Sequence, residues 1–253
     1  MHKDDPAPPA CPTSTRPVRG RPREFDREAA LAAAMRLFWI RGYEATAISD
    51  LTEAMGIGTK SLYAAFGSKD ALYAEALKYY YTTYEGLVWT RFRKAATAKE
   101  AALAFLQDSA VAMTGGDCDL PHGCMATLAT VGSEGHAELG ELMRATRAGG
   151  FDILKARLDK AKGDGDLPAA ADTTKLARLV QTVQSGMAIR ARDGADRSEL
   201  QAVAEIALAG WDHITGAVDS RSGIIRDDDS ATAFSSGAEQ RAGFSSVVDI
   251  PSG

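Results

Sequence analysis

The sequence predicts an all-α protein. Three observations support this prediction: apolar residues recur at helical spacing along most of the chain, glycine-rich breaks separate the helical segments, and no stretch of alternating polar and apolar residues competes as a sheet. The first three segments are short and closely connected, whereas the later ones are longer. We therefore expect a compact N-terminal three-helix unit followed by a larger C-terminal helical domain.

The first helix has clear signals at both ends. Asp26 is its predicted N-cap, and the helix is expected to run to about Arg41, with Gly42 in the position of a helix-terminating glycine. Its predicted apolar stripe comprises Ala30, Ala33, Ala34, Leu37 and Phe38.

The stretch TAISDLTEAMGIGTKSLYAAFGSK, residues 46–69, contains two short helical patterns around a glycine-bearing turn. Thr46 is the predicted N-cap of the first pattern, whose apolar face carries Ile48, Leu51 and Met55. In the second pattern Leu62 and Phe66 share the buried face, whereas polar side chains fall on the other faces: Lys60, Ser61 and Tyr63. A helix of about two turns is stable only when docked. A docked short helix with a polar face predicts a helix-turn-helix whose second helix reads DNA.

A fourth helix is predicted from its N-cap Ser68 to about Lys94, and it is rich in aromatic residues. Aromatic residues at helical spacing are more often core than ligand contacts. Further helical patterns cover residues 98–114, 123–131, 134–161, 172–192 and 196–216. Two of these patterns have apolar faces that fit either an intramolecular core or a second subunit: Leu176, Leu179, Val180, Val183 and Met187 on one, and Val203, Ile206, Ala207 and Leu208 on the other.

The two ends of the chain differ in composition from its middle. Residues 1–15 are predicted to be a disordered leader, and residues 218–253, rich in Ser, Gly and Asp, a disordered tail. Between the leader and the first helix, residues 16–23 (RPVRGRPR) carry four arginines and no acid. Such a run is usually a solvated linker. Because it stands directly before a helix-turn-helix, we favour an arm that contacts phosphates or a minor groove through Arg19, Arg21 and Arg23.

The composition is that of an ordinary globular protein. No apolar run approaches the ~18 residues of a membrane span, and the N-terminus lacks the apolar segment of a secretory signal, so we expect a cytoplasmic protein with no membrane partner. Three cysteines, an odd number, argue against a disulfide scaffold. The net charge of −5 argues against a nucleic-acid coat over the whole surface but allows a local basic one.

Residues 26–77 resemble the TetR (tetracycline repressor) family of bacterial transcription regulators. In that family a first helix ending in F-x-x-x-G precedes T-x-x-x-I-A-x-x-A-G-V-S-x-x-x-L-Y-x-x-F-x-x-K-x-x-L, and residues 38–42 here read FWIRG. The positions that correspond to the longer pattern are Ile48, Leu51, Ala54, Gly56, Leu62, Tyr63, Phe66, Lys69 and Leu72. Two positions depart from it: Gly58 replaces the serine that usually caps the reading helix, and Ser49 replaces a smaller residue. Glycine is an acceptable N-cap, so the fold is not affected.

The resemblance implies a role for each matching residue. Tyr63, Lys69 and Thr46 are expected to contact phosphates, and Lys60 and Ser61 to face base edges. Gly58 and Thr59 are expected near the DNA backbone or a thymine methyl. It also implies a helix-turn-helix DNA-binding domain, here residues 16–67 with the arm, and a helical ligand-binding and dimerisation domain, residues 68–217. The implied partners are double-stranded DNA with a palindromic operator, an unknown small-molecule effector and a second copy of the chain.

The expected effector pocket lies within the C-terminal domain, and it suggests an apolar or aromatic molecule. Its candidate lining residues are Tyr80, Tyr84, Trp89, Met113, Cys124, Met125 and Phe151. We expect a repressor without a cofactor.

The sequence CDLPHGC offers a second kind of chemistry, with Cys118, His122 and Cys124 within seven residues. Its spacing is not one of the usual zinc patterns, and no fourth ligand is near, so we predict no metal site. Two thiols beside a histidine are compatible with a redox or electrophile sensor, but we favour Cys124 as a small apolar residue at the start of a helix. An all-α enzyme with its site at these residues, or a protein-interaction module that keeps the helix-turn-helix as a scaffold, are the alternatives to a regulator.

Overall fold

The computed structural model describes residues 25–116, 120–129 and 135–216. The leader, the arginines of the predicted arm (Arg19, Arg21 and Arg23), Cys118 and the tail lie outside the described residues. All regular structure in the described part is helical. The helices are α1 (Arg27–Arg41), α2 (Ile48–Met55), α3 (Thr59–Phe66), α4 (Lys69–Lys94), α5 (Ala98–Met113), α6 (Met125–Leu128), α7 (Ala137–Gly163), α8 (Thr173–Arg192), α9 (Arg197–Ala209) and α10 (Trp211–Thr215).

Helix α1 has the predicted ends. The Asp26 carboxylate accepts hydrogen bonds from the backbone N–H groups of Glu28 and Ala29, which have no partner within the helix. Gly42 ends the helix with a positive φ of 78°. The buried stripe differs partly from the predicted one, because Ala33 and Leu37 are only half-buried. Its fully packed members are Ala30, Leu31, Ala34, Met35, Phe38 and Trp39.

The predicted Thr46 cap of α2 is wrong. The N-cap is Ala47, whose backbone N–H donates to the Asp50 carboxylate at 3.1 Å. Thr46 is fully buried, and its hydroxyl donates to the Gly42 carbonyl at 2.6 Å. The hydroxyl thus satisfies the end of α1 rather than the start of α2.

The turn and the two following caps agree with the sequence prediction. Gly56 adopts the left-handed conformation that ends α2, and Gly58 is the N-cap of α3 in an extended conformation. The Ser68 hydroxyl accepts from the Ala71 N–H at 3.0 Å, and α4 ends at Lys94.

Two C-terminal segments differ from their predicted extents. The pattern over residues 123–131 yields only the four-residue α6, since Ala129 is already extended. The pattern over 196–216 is interrupted at Gly210, which ends α9 and precedes the short α10. The other three helices match the predicted spans to within three residues.

The buried apolar side chains form two clusters. The first joins α1–α3 to the beginning of α4, and it also includes Met125 of α6 and Met143 of α7. The second lies among the end of α4, α5 and α7–α10. The boundary predicted between residues 67 and 68 stays a prediction, since the first cluster extends across it.

Arg192, the last residue of α8, connects distant parts of the chain. Its guanidinium donates to the carbonyls of Trp39 and Ile40 at the end of α1, and to the carbonyl of His122 before α6. The three N···O distances are between 2.8 and 3.0 Å. A cation at the C-terminal end of a helix is favourable because the last carbonyls lack partners and carry partial negative charge.

Among the described residues, no helix has the combination of length and apolarity that a membrane span requires.

Gly123 lies where the segment before α6 passes close to α8, and its φ is +82°. A Cβ there would lie 2.4 Å from Cδ1 of Leu128 and 3.0 Å from the Ala188 carbonyl oxygen. We expect Gly123→Ala to lower the free energy of unfolding by about 2–4 kcal/mol, through left-handed strain and overpacking together. Urea denaturation measures this loss.

Gly165→Ala is the matched control, since Gly165 has a φ of +81° and nothing lies within 4 Å of the position that its Cβ would take. It isolates the backbone strain, for which we expect about 1–2 kcal/mol. Equal losses in the two variants would show that close packing against α8 does not require glycine at position 123.

Candidate DNA-binding surface and effector cavity

Helix α3 has one buried and one exposed face. Leu62 and Phe66 are almost completely buried in the first cluster. Every residue that the sequence analysis placed against DNA on this helix or its cap is exposed: Gly58, Thr59, Lys60, Ser61 and Tyr63. The helix is thus anchored by its apolar side and presents a polar surface with one cation and two kinds of hydroxyl.

Two arginines hold the three short helices together. Arg27, in the first turn of α1, donates to Glu75 of α4 at 2.7 Å and to the carbonyl of Ala65 in α3, and its guanidinium lies 4.4 Å from the Phe66 ring centre. Arg41, at the end of α1, pairs with Asp50 of α2 at 3.0 Å. These contacts fix the direction in which α3 presents its exposed face.

Lys69 begins α4 beside the turn that follows α3. It is half-buried, and its ammonium lies 4.1 Å from the centre of the Tyr43 ring. Burial lowers the pKa of Lys69, while the nearby carboxylates of Glu44 and Asp70 act in the opposite direction. The aromatic ring therefore holds the Lys69 ammonium at the start of α4 by a cation–π contact.

Thr46 does not share this surface. Its side chain is fully buried with its hydroxyl bonded to Gly42, so no phosphate can reach it in this conformation.

Tyr43, Asp70 and His136 form a polar cluster that connects the segment after α1 and the start of α4 to the start of α7. The Tyr43 hydroxyl donates to one oxygen of Asp70, and His136 Nδ1 lies 3.2 Å from the other oxygen. His136 is the N-cap residue of α7. The hydrogen bond from Tyr43 is the main cause that lowers the pKa of Asp70, with smaller contributions from His136 and Lys69. The start of α4 is thus bonded directly to the start of α7.

A cavity of about 520 Å³ lies among α4, α5, α6, α7 and α8. Its size is within the range of small-molecule sites. Four of the predicted lining residues contact it: Tyr80, Tyr84, Trp89 and Cys124. The apolar wall also includes three residues that the sequence analysis did not name: Tyr81, Phe105 and Leu154.

Three predicted lining residues are elsewhere. Met125 is buried in the first cluster, and Phe151 is buried in the second with the Arg178 guanidinium 3.6 Å from its ring centre. Met113 lines an adjacent cavity of about 40 Å³. Trp39 Nε1 and Ser109 Oγ, whose residues also line this small cavity, are buried and have no hydrogen-bond partner in the described part of the chain.

Part of the lining of the large cavity is polar, which the sequence analysis missed. It is formed mainly by α7 and α8, together with Glu85 of α4, and its polar members include Glu85, Arg144, Arg147, Arg178, Gln181, Gln184 and Ser185. The sequence feature that could have predicted this polar lining is a three-residue spacing, which places two side chains on one face of a helix. Arg144 and Arg147 have this spacing on α7, and Arg178 and Gln181 have it on α8.

Cys124 is the N-cap residue of α6 and is half-buried against both apolar clusters. The Tyr80 hydroxyl donates to its sulfur at 3.3 Å. These contacts are those of a packed side chain in the cavity wall and give no support to a redox sensor. Within the described ranges, no three His, Cys, Asp or Glu residues are grouped as metal ligands.

Comparison with known proteins identifies similar sequences and structures. A family model described as "Bacterial regulatory proteins, tetR family" matches residues 30–76. The HTH-type transcriptional repressor ComR of Escherichia coli K12 is 34% identical over 194 residues, which are 76% of this chain and 92% of ComR. The HTH-type transcriptional repressor BdcR of the same organism is 46% identical over 66 residues, 26% of this chain and 34% of BdcR.

A solved structure extends this similarity to the fold. It is the regulator CifR, a cysteine mutant in complex with 26-base-pair double-strand operator DNA. The structural match covers 76% of this chain and all of the CifR chain, with 37% sequence identity and a TM-score of 0.71.

The Asp70 cluster predicts a pH dependence of stability. Because the pKa of Asp70 is lowered in the folded state, its contribution is present above the ordinary value of 3.8 and is lost as the pH falls through the lower folded value. We expect Asp70→Asn to reduce stability at neutral pH and to flatten the acid limb. Since the side chain is about half exposed, 48%, the expected loss is under about 1 kcal/mol.

Urea denaturation at a series of pH values checks this expectation. Asp152→Asn, which removes an exposed carboxylate from the middle of α7, controls for the change in net charge. An acid limb as steep in Asp70→Asn as in the wild type would rule out Asp70 as its source.

Proposed function

Because this chain belongs to the TetR family of bacterial regulatory proteins, we propose that it is a homodimeric transcription repressor that binds a palindromic operator and releases it when a small molecule occupies the 520 Å³ cavity. The observation that carries the proposal is α3, whose apolar side is docked and whose polar side is exposed. The names of ComR and BdcR as repressors, and of CifR as a complex with operator DNA, support it.

The proposed DNA contacts divide into two groups. Lys60 and Ser61 face base edges in the major groove, where a lysine suits the paired acceptors of guanine. Tyr63, Lys69 and the arginines of the N-terminal arm contact phosphates, which position the protein without choosing the sequence. Gly58 and Thr59 approach the DNA backbone, for which Gly58 is suited because nothing lies within 4 Å of its Cβ position. Thr46 is left out of this set because it is buried.

Helix α4 offers a physical route from the cavity to DNA. Its middle part lines the cavity through Tyr80, Tyr84 and Trp89, and its first residue is Lys69. A ligand shifts the balance between two conformations only by binding one of them better. We propose that the released form differs in the direction of α4, and hence in the spacing between the two α3 helices of the dimer.

The outer faces of α8 and α9 support a dimer. Ile189 of α8 is 53% exposed and Ile206 of α9 is 76% exposed, and Leu179 and Val203 are exposed on the same two helices. Gly186 has no neighbour within 4 Å of its Cβ position, which leaves room for another helix. One short reading helix buries too little surface for tight specific binding, whereas two copies on a two-fold axis match a palindrome.

Operator binding is tested by fluorescence anisotropy with the DNA that flanks the chain's own gene, at several salt concentrations. We expect tight binding that weakens steeply with salt. Tyr63→Phe should weaken binding about tenfold for all sequences through loss of one charged hydrogen bond. Lys60→Ala should instead reduce discrimination between operator and mutated operator by about 1–3 kcal/mol.

Lys94→Ala is the matched control, because it removes an exposed lysine at the opposite end of α4 from Lys69. Equal effects of Lys60→Ala and Lys94→Ala would contradict the assignment of α3 as the reading helix. A folded dimer that bound neither its flanking DNA nor any genomic fragment would contradict the function itself.

The dimer is tested by Ile206→Asp. Because a buried carboxylate would occur twice in a two-fold interface, we expect the dissociation constant of the dimer to rise at least about tenfold. Analytical ultracentrifugation measures it. Ile153→Asp, at a 39% exposed position on α7, introduces the same charge outside α8 and α9 and should leave the dimer intact. A dimer unaffected by Ile206→Asp would place the interface elsewhere.

A further inference from the structure

The charges around the large cavity have a predominant sign. Among the described residues three arginines line it, Arg144, Arg147 and Arg178, against a single carboxylate, Glu85. Glu85 already lies 3.8 Å from Arg93 and is about half exposed. The cavity is therefore electropositive, and its low-dielectric apolar wall concentrates this field.

The three arginines differ in how far their charge is already compensated. Arg144 is paired with Glu141 at 2.7 Å on the exposed rim. Arg178 is exposed, bonded to Gln181 and stacked on the Phe151 ring. Arg147 is half-buried, and one of its nitrogens, Nη1, donates to the carbonyls of Ala126 and Ala129 at 3.3 and 3.4 Å.

The Arg147 charge is not neutralised by any carboxylate in the described part of the chain. Among the described residues no carboxylate lies within ion-pair distance of its guanidinium. The two carbonyls hold the side chain in place, but they bond to only one of its three donor nitrogens. A planar cation with free donors is suited to a carboxylate or a similar anion, which it can bind through two parallel hydrogen bonds.

The phenols that line the cavity together with Arg147 are protonated at neutral pH. Burial raises the pKa of Tyr81, and the positive charge of Arg147, which lines the same cavity, acts in the opposite direction. Burial also raises the pKa of Tyr80 well above its ordinary value. This part of the cavity thus combines a cation with the neutral Tyr81 phenol against an aromatic surface, whereas the Tyr80 hydroxyl already donates to Cys124.

We propose that the effector is an amphipathic anion, with an aromatic or apolar body against the α4 wall and a carboxylate or similar acidic group bound by Arg147. This inference rests on the proposed function in calling the ligand an effector, but the binding site itself does not depend on DNA. A cationic effector would have to displace Arg93 from Glu85 and face three arginines. A neutral apolar molecule would leave the Arg147 charge desolvated without compensation.

The test is isothermal titration calorimetry of the full chain with three probes of one shape: 2-naphthoate, 2-naphthamide and 2-naphthylmethylammonium. We expect the wild type to bind the acid at least about tenfold more tightly than the amide, because the free energy of one charge-assisted hydrogen bond corresponds to such an affinity ratio. In Arg147→Gln this preference should disappear, while affinity for the amide stays unchanged. Arg144→Gln, at the paired rim arginine, should keep the preference.

Arg147→Lys covers the case in which Arg147→Gln does not fold, and it should bind the acid with an affinity between those for the wild type and the amide. The inference is overturned if the amide or the ammonium binds as tightly as the acid, if none of the three binds, or if Arg147→Gln weakens acid and amide equally. Operator binding is measured separately. Its failure alongside an Arg147-dependent preference would contradict the repressor and leave the anion site standing.

Discussion

The central constraint on this molecule is that α4 is one unbroken helix. It has 26 residues, so it is about 39 Å long, and it belongs to both apolar clusters. Ser68 fixes its first turn, and Arg157 of α7 donates to the Ala95 carbonyl just past its end. Because a continuous helix of this length is stiff, a displacement of the residues that line the cavity also moves Lys69 at its first position. No internal break would take up the movement.

A second connection runs through α8. This helix contributes Gln184 and Ser185 to the cavity, carries part of the exposed apolar face and ends at Arg192. The three carbonyls that Arg192 binds belong to the end of α1 and to the segment before α6. Helix α8 therefore contacts the cavity, the candidate subunit interface and the DNA-binding helices. The tight passage of Gly123 against Ala188 lies one turn before this arginine.

The sequence predicted the features that local physics decides. Helix type, the caps Asp26 and Ser68, and the exposed face of α3 follow from short-range spacing and capping chemistry, whereas the Gly58 cap was implied by the family resemblance. Thr46 was mistaken because a threonine before a helix has two ways to satisfy its hydroxyl. Only the packed position of Gly42 selects between them.

The cavity was predicted less well, for a different reason. Met125 and Phe151 are apolar and lie on helices that border the pocket, but periodicity does not tell a core contact from a cavity wall. Arg147 was missed because a cation on an amphipathic helix is normally on its solvated side. Its position depends on how α7 meets α6 and α4, which is tertiary information. The family could be identified from the sequence because the motif over residues 38–72 is long and its residues occur in the family's order.

Trp39 gives the molecule a further property, which is a fluorescent side chain close to the cavity. Its indole belongs to α1, yet it packs edge-on against Tyr80 at 4.8 Å and against Tyr84 at 5.8 Å between ring centres. Both phenols line the large cavity, and the indole N–H lacks a partner among the described residues. Indole emission is sensitive to such local polarity. Trp89 lines the cavity itself, whereas Trp211 is buried in α10. An indole of the DNA-binding helices thus packs on two side chains that line the cavity, where its emission would report a change in that cavity.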